Sequence, residues 1–275
     1  MFTLTGFADE VSFDLGEQIE LMTALGIRHV EFRSAWRTKV LDLSEEQLTE
    51  AKRMLDAAGI TLSSVGSDIG KIQITDPFEA HLERARHAVE VAKFFGSPYI
   101  RMFSFFIPEG DDPDSHRDEV MARTRAFVDL AEAGGVTMLH ENEKDIFGDI
   151  PRRVIDLVTT MDSPAYRAIF DPANYVQCGV RPFDEALAEV RPYTDYIHIK
   201  DAKGSDSSVV PAGEGDGQVR EVLRSLHADG YDGFISIEPH LGEFDAFGGL
   251  CGPDLWTTAY EALTGILRDE GIEWD

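Results

Sequence analysis

The sequence predicts a single (β/α)8 barrel, an α/β fold of eight parallel strands ringed by helices, and three observations support this. The chain has 275 residues, a usual length for one barrel of this kind. Short strand-like runs alternate with helical segments along the whole chain, which is typical of parallel strands joined by crossover helices. The unit recurs eight times, and eight units favour closure into a barrel over an open sheet. We therefore interpret residues 1–275 as one domain.

The eight predicted strands are short runs rich in β-branched, aromatic and other apolar residues. Because a helical segment separates each run from the next, successive strands should lie parallel in one sheet. The runs are Phe2–Phe7, His29–Arg33, Thr61–Val65, Tyr99–Phe105, Thr137–Glu141, Ala168–Asp171, Tyr196–Lys200 and Phe234–Glu238.

The helical segments carry recognisable start signals. Ser44 and Gln47 form a capping-box pattern at the start of the second helix. Asp76 followed by Pro77 predicts an N-cap and a first-turn proline for the third helix. The fourth helix is predicted over 113–134, and the last is predicted to begin near Pro253.

Several helices are predicted to end at a glycine before the next strand, since glycine suits the left-handed position that closes a helix. These ends are Leu25-Gly26-Ile27, Ala58-Gly59-Ile60, Ala133-Gly134-Gly135-Val136 and Asp229-Gly230-Tyr231. One long polar stretch, Lys203–Gly217, falls inside the seventh unit, and we interpret it as an active-site loop.

The chain is strongly acidic. Lys and Arg total 25 against 51 Asp and Glu, which gives a formal net charge of -26. Such a surface repels phosphate polyanions, so the composition argues against nucleic acid and anionic membranes as partners. Because the acidity is spread along the chain, we interpret it as a solvated surface adapted to high salt, where screening weakens self-repulsion. An ordinary acidic protein is the alternative.

The sequence favours a cytoplasmic protein. No run reaches the ~18 to 20 consecutive apolar residues of a membrane helix. The first residues lack the basic segment and apolar stretch of a signal peptide. Cys178 and Cys251 do not have the spacing of a metal cluster, so we expect two incidental thiols in a reducing compartment.

Ionisable residues end the last four predicted strands. Glu141, Asp171, His198 and Glu238 stand about one βα unit apart, so they should converge at the C-terminal mouth of the barrel. Charged groups are costly beside an apolar core unless they are paired or coordinated. Three carboxylates and one imidazole suit one Mn²⁺, Mg²⁺, Co²⁺ or Zn²⁺ ion, and the excess of oxygen favours Mn²⁺ or Mg²⁺. Structural ion pairs are the alternative. Strand alternation places His140 on the opposite face, packed rather than ligating.

Several further residues are candidates for substrate contact. Arg101 interrupts an apolar strand, and it could bind a substrate carboxylate, phosphate or hydroxyl or form a rim ion pair. Lys200 shares strand parity with His198, so we expect it to reach the same pocket, with Asp201 then behind the ligands. Glu214 lies in the polar loop, where a flexible turn is the alternative reading, and His240 follows two residues after Glu238.

The four strand ends, including His198-Ile199-Lys200-Asp201, resemble the xylose isomerase-like barrel superfamily, and the resemblance covers essentially the whole chain in strand order. That group contains sugar-phosphate isomerases and epimerases, ketose 3-epimerases, hydroxypyruvate isomerase, inosose dehydratase and an endonuclease branch. The resemblance implies that the four residues are metal ligands. It also implies that Glu141 and Glu238 form the acid–base pair of the epimerase-type members.

The implied chemistry is proton transfer next to a carbonyl. A metal that chelates a ketone and a neighbouring hydroxyl stabilises the enediolate formed on deprotonation, and two carboxylates exchange the proton between faces. Expulsion of a β-hydroxyl from the same intermediate would give a dehydratase. A non-catalytic sugar-binding barrel is the remaining alternative.

Two branches of the superfamily are disfavoured by residue replacements. Asn174 and Glu214-Gly215-Asp216 stand where the endonuclease branch has extra histidines. The ketose 3-epimerase branch has a histidine at Asn174 and an arginine at Gly204. We therefore expect a small polyhydroxylated carbonyl substrate, with Asn174 as one contact. Because dimers and tetramers are common for such barrels, we also expect a homodimer or homotetramer.

Overall fold

The computed structural model describes residues 1–245 and 248–275 of the chain. Eight parallel strands form a nearly closed barrel in the order β1-β8-β7-β6-β5-β4-β3-β2. They are β1 (Thr3–Gly6), β2 (His29–Phe32), β3 (Thr61–Ile69), β4 (Tyr99–Met102), β5 (Thr137–Glu141), β6 (Tyr166–Phe170), β7 (Thr194–Ile199) and β8 (Phe234–Ile237). The predicted fold class is confirmed.

Helices follow the strands around the outside of the barrel. They are α1 (Leu15–Ala24), α2 (Glu45–Ala58), α3 (Glu79–Phe95), α4 (Arg117–Gly134), α5 (Pro151–Met161), α6 (Pro172–Gln177), α7 (Ala188–Val190), α8 (Val219–Ala228) and α9 (Gly252–Asp269). A π-helical turn, Pro182–Leu187, leads into α7. Of the helices in the described ranges, none has the length and apolar character needed to cross a membrane.

The helix signals were mostly interpreted correctly. Ser44 caps α2 with the full capping box that its spacing with Gln47 predicts. The cap predicted at Asp76 is wrong, because α3 begins at Glu79 and its N-cap is Phe78. The Asp76 carboxylate instead accepts a hydrogen bond from the backbone N–H of Gln73, which closes a turn before the helix. The hydrogen bond that the sequence places at the helix start is thus used in the turn before it.

The C-terminal segment completes the barrel at its open side. β1 and β2 are the two ends of the strand order and lie in contact. Backbone hydrogen bonds join Phe2 N–H to Glu273 O at 3.1 Å and Asp275 N–H to Phe2 O at 3.1 Å. The chain ends therefore meet at the bottom of the barrel, opposite the mouth.

One glycine fixes the approach of β3 to the mouth. Gly70 follows β3 with φ 88°, and a Cβ there would lie 1.9 Å from the carbonyl oxygen of Phe103. Its N–H donates to Nε2 of His81 at 2.7 Å. Burial lowers the pKa of His81 and favours the neutral ring that this acceptor role requires.

Candidate metal centre and active site

Four side chains meet at the mouth of the barrel as the strand ends predict. Glu141 ends β5, Asp171 follows β6, His198 lies in β7 and Glu238 follows β8. All four are buried, and one potential ligand atom from each lies within 4.8 Å of the others. We call these residues the mouth cluster. The barrel brings them together because parallel strands all end at the same edge.

Glu141 is held from three sides. Its Oε2 accepts from Arg101 Nη1 at 3.1 Å, and its Oε1 accepts from Asn174 Nδ2 at 3.1 Å. Nδ1 of His198 is 3.1 Å from the same Oε1. Burial alone would raise the pKa of Glu141, but His198 and Arg101 outweigh burial and the nearby Glu238 and lower that pKa to about 2. The Glu141 carboxylate is therefore ionised.

Asp171 is positioned by its backbone as well as its side chain. Asn142 donates from Nδ2 to the Asp171 carbonyl at 3.0 Å and accepts the Asp171 N–H at 2.9 Å. Oδ1 of Asp171 caps α6 by accepting the N–H of Asn174 at 2.9 Å. Oδ2 is left to face the cluster. Burial, together with the negative charges of Glu141 and Glu238, raises the pKa of Asp171 to about 6. The positive charge of Lys200 opposes this rise but does not cancel it.

His198 presents Nδ1 to the cluster because Nε2 is bound behind it. Nε2 lies 2.9 Å from Oε2 of Glu31, which also accepts the hydroxyl of Ser236 at 2.8 Å. Nδ1 is buried and faces the cluster carboxylates, 3.1 Å from Glu141 Oε1 and 3.6 Å from Glu238 Oε2. Burial alone would lower the pKa of His198, but Glu31 and Glu141 raise it to about 10. A bound metal ion would take the place of the proton on Nδ1.

Glu238 is surrounded by cationic groups. Its Oε2 is 2.5 Å from Lys200 Nζ and 3.6 Å from His198 Nδ1. Its Oε1 is 3.2 Å from His240 Nε2, 3.7 Å from Arg33 Nη1 and 3.8 Å from Arg101 Nη1. Despite burial, Lys200 and the other cations hold the pKa of Glu238 well below its usual range.

The predicted substrate contacts divide into two groups. Arg101, Asn174, Lys200 and His240 all touch a glutamate of the mouth cluster. Glu214 lies apart, exposed in the loop after β7, and its described hydrogen bond joins its backbone N–H to the carbonyl of Pro211.

Asp201 fixes the loop after β7 rather than the cluster residues, which corrects its expected place behind the ligands. Its buried carboxylate accepts four backbone N–H groups. Oδ1 accepts from Ala202 and Gly217 at 2.8 Å each. Oδ2 accepts from Gly213 at 2.9 Å and Gly215 at 3.0 Å. The long polar loop is therefore closed onto one carboxylate.

The sequence reasoning missed two supporting groups. Glu31 sits inside β2, where a lone acid between Val30 and Phe32 was the available signal. Arg33 follows β2, donating to Asp9 at 2.8 and 3.0 Å and to Glu10 at 3.2 Å. Asp9 and Glu10 follow β1, so applying the strand-end rule to the first strand would have identified these two acids and, through them, a partner for Arg33.

Arg33 and Arg101 share one aromatic platform. Their guanidinium carbons lie 4.6 and 4.8 Å from the centre of the Phe7 ring. Such cation–π contacts fix the planes of the two guanidinium groups. Both groups then face Oε1 of Glu238 from the side away from Lys200 and orient its carboxylate.

The donor set fits one divalent cation. It offers carboxylate oxygens from three residues and an imidazole Nδ1 whose tautomer is set by Glu31. Oxygen-rich sites with one imidazole suit Mg²⁺, Mn²⁺ and Zn²⁺. His140 lies outside this set, since its Nε2 is 2.9 Å from the Ser104 hydroxyl on the other face of β5.

Comparison with known proteins gives one family and several relatives. The family model described as "xylose isomerase-like TIM barrel" matches residues 19–262. A 2-epi-5-epi-valiolone 7-phosphate 2-epimerase from Actinoplanes sp. is 32% identical over 180 residues, which span 64% of this chain and 64% of that protein.

Solved structures share the fold at low sequence identity. A D-tagatose 3-epimerase-like protein superposes with a TM-score of 0.79 at 18% identity, covering 98% of both chains. An IolI protein with a bound zinc atom superposes with a TM-score of 0.78 at 16% identity, covering 98% of this chain and 99% of that one.

Proposed function

Since this chain belongs to the xylose isomerase-like TIM barrel family, we propose that it is a divalent-metal-dependent isomerase or epimerase of a sugar, sugar phosphate or keto-polyol. The observation that carries the proposal is the mouth cluster. Two glutamates, one aspartate and one histidine converge in a buried site, with the imidazole Nδ1 turned toward the carboxylates. The relative from Actinoplanes sp., named as a 2-epi-5-epi-valiolone 7-phosphate 2-epimerase, supports the same reaction class.

In the proposed mechanism, Glu141, Asp171, His198 and Glu238 hold the metal, with Mn²⁺ preferred because oxygen donors dominate. The bound ion would supply charge stabilisation for the enediolate that forms when a proton leaves the carbon beside a carbonyl. Glu141 and Glu238 are the acid–base pair, one removing the proton and the other returning one.

Arg101 orients the carboxylates of Glu141 and Glu238. Its Nη1 is 3.1 Å from Oε2 of Glu141 and 3.8 Å from Oε1 of Glu238. The guanidinium therefore contacts Oε2 of Glu141 and faces Oε1 of Glu238, while Oε1 of Glu141 and Oε2 of Glu238 face His198 and Lys200. Because one cation serves both glutamates, its removal should disturb proton removal and proton return together.

Substrate recognition is proposed for the polar groups around the cluster. Arg101 Nε is buried without a hydrogen-bond partner among the described residues, so it can donate to a substrate oxygen. Asn174, Lys200 and His240 add neutral and cationic donors near the glutamates. Glu214 remains a predicted contact that requires the loop after β7 to move. These groups suit a polyhydroxylated carbonyl compound.

The test is solvent deuterium exchange on a panel of ketoses, keto-inositols and keto-acids, with Mn²⁺-loaded protein in D₂O. We expect one class to gain deuterium at the carbon beside its carbonyl without loss of water. Glu238→Gln should abolish exchange, and Lys71→Met, which removes a rim lysine paired with Glu143 at 2.9 Å, should retain it.

The other outcomes identify the alternatives. Deuterium uptake with net loss of water would replace the isomerase with a dehydratase that shares the first step. Binding of a sugar with no exchange in any substrate class would contradict catalysis and favour a sugar-binding barrel.

The remaining proposals concern the salt conditions, assembly and location in which the protein functions. The net charge of -26 supports function at high salt, where a protein of this charge stays soluble. Assembly as a homodimer or homotetramer and a cytoplasmic location stay predictions.

A further inference from the structure

Lys200 places its ammonium group among the carboxylates of the mouth cluster. Nζ lies 2.8 Å from Asp171 Oδ2, 2.5 Å from Glu238 Oε2 and 3.9 Å from Glu141 Oε1. The lysine side chain is 4% exposed, so water does not compete for these contacts. One ammonium thus faces oxygens of three of the four residues that form the candidate metal site.

This placement neutralises charge that would otherwise be costly. Three buried carboxylates repel one another, and a buried charge without a partner strongly destabilises a fold. The Arg101 guanidinium lies 3.1 Å from Glu141 and 3.8 Å from Glu238. Among the described residues it forms no ion pair with Asp171. His198 Nδ1 lies 3.9 Å from Asp171 Oδ2 and 3.6 Å from Glu238 Oε2, whereas Lys200 Nζ lies 2.8 and 2.5 Å from the same oxygens. Lys200 therefore makes the closer cationic contact with both carboxylates.

A divalent ion and the Lys200 ammonium need the same oxygens. Oxygen ligands approach such ions to about 2.0–2.6 Å, so an ion bound by Asp171 and Glu238 requires the space between them. Mutual repulsion between an ammonium and a dication in a buried site disfavours an arrangement in which both share these oxygens. Lysine has a flexible four-carbon stem, so its charged end can move while its backbone stays in place.

We propose that Lys200 is a resident counter-ion, which holds Asp171 and Glu238 together in the metal-free protein and is displaced when the metal binds. The inference rests on the proposed metal-dependent function. Displacement turns a structural cation into one that is free to contact the substrate beside the metal. It also makes metal binding compete with a covalently tethered cation, which weakens the apparent affinity and stabilises the empty site.

The test compares Lys200→Met with wild type after removal of metal by a chelator. Lys200→Met should lower the melting temperature of the metal-free protein. It should also tighten Mn²⁺ binding by calorimetry at least about tenfold, the scale on which neighbouring groups tune metal sites. Lys71→Met is the matched control, since Lys71 is also paired with an acid at the rim but lies outside the cluster. We expect its Mn²⁺ affinity to match wild type.

Crystal structures of the wild type with and without Mn²⁺ give a readout that does not depend on a variant folding. The 2.8 Å contact between Lys200 Nζ and Asp171 Oδ2 should be present without metal and broken with it. Mn²⁺ bound by wild type with that contact intact, or equal affinity of Lys200→Met and wild type, would overturn displacement and leave the proposed function standing.

A different result of the Mn²⁺ titrations would contradict the proposed metal-dependent function itself. If wild type binds no Mn²⁺ but Lys200→Met does, Lys200 is a permanent substitute for the metal, and both metal dependence and displacement are wrong. If neither protein binds Mn²⁺, both ideas fail together.

Discussion

Asp201→Asn tests how the loop after β7 is fixed. In the wild type, Oδ1 accepts the N–H groups of Ala202 and Gly217, and Oδ2 accepts those of Gly213 and Gly215. An asparagine offers one oxygen and one amide nitrogen in the same space. Whichever way the amide turns, two backbone N–H donors then face another donor.

The expected cost follows from those two broken pairs. A hydrogen bond to a charged group contributes about 1.5–3 kcal/mol, so two lost bonds cost about 3–6 kcal/mol. Burial raises the pKa of Asp201, although the four N–H groups act to lower it. Burying this charge is therefore costly, and its removal in asparagine offsets part of the loss. We expect a net loss in the free energy of unfolding that is smaller than the loss of about 3–6 kcal/mol from the two hydrogen bonds alone.

Urea unfolding and limited proteolysis measure this effect. Asp201→Asn should unfold at lower urea than wild type and be cleaved faster within 203–217. Asp206→Asn is the control, because Asp206 lies in the same loop, is exposed, and accepts one backbone N–H, from Ser208 at 3.0 Å. Asp206→Asn should unfold at the same urea concentration as the wild type. Equal unfolding midpoints for the two variants would refute the assigned role of Asp201.

Two further substitutions probe the acid behind His198 and an ion-paired aspartate near the end of β3. Glu31→Gln should weaken Mn²⁺ binding by about 10–100-fold in calorimetry, because Glu31 fixes the ring of His198; an unchanged Kd would contradict this. Asp68→Asn should lower the free energy of unfolding at pH 7 by about 2 kcal/mol, since Arg84 and Lys39, despite burial, hold the pKa of Asp68 at about 2. An aspartate with a lowered folded-state pKa stabilises above its unfolded pKa of 3.8 and loses that contribution as the pH falls toward about 2. The difference from wild type in urea titrations should therefore shrink below pH 4, and a gap independent of pH would count against the ion pairs.

The fold and the centre of the site were accessible from sequence because both follow local rules. Strand-like runs that each end in an ionisable residue place Glu141, Asp171, His198 and Glu238 at one barrel mouth. Strand alternation also placed His140 on the outer face, where it packs against Gly148 and contacts Ser104. These predictions required only the period of a strand and the common direction of parallel strands.

The supporting contacts were not accessible because they join distant parts of the chain. Glu31 and His198 are 167 residues apart and meet across the barrel interior. The contact of Lys200 with both Asp171 and Glu238 likewise depends on the relative rotation of three strand ends. Asp201 was misplaced because strand parity gives the face of a residue, while the folding of the following loop decides its partners.

The central claim is that the mouth cluster is a metal centre, and Mn²⁺ binding to metal-stripped protein tests it most directly. We expect wild type to bind one Mn²⁺ per chain. A His198→Ala variant, shown to be folded by its thermal melt, should bind at least about a hundredfold more weakly because it loses the nitrogen ligand. Absence of binding in wild type, or equal binding in both proteins, would contradict the account.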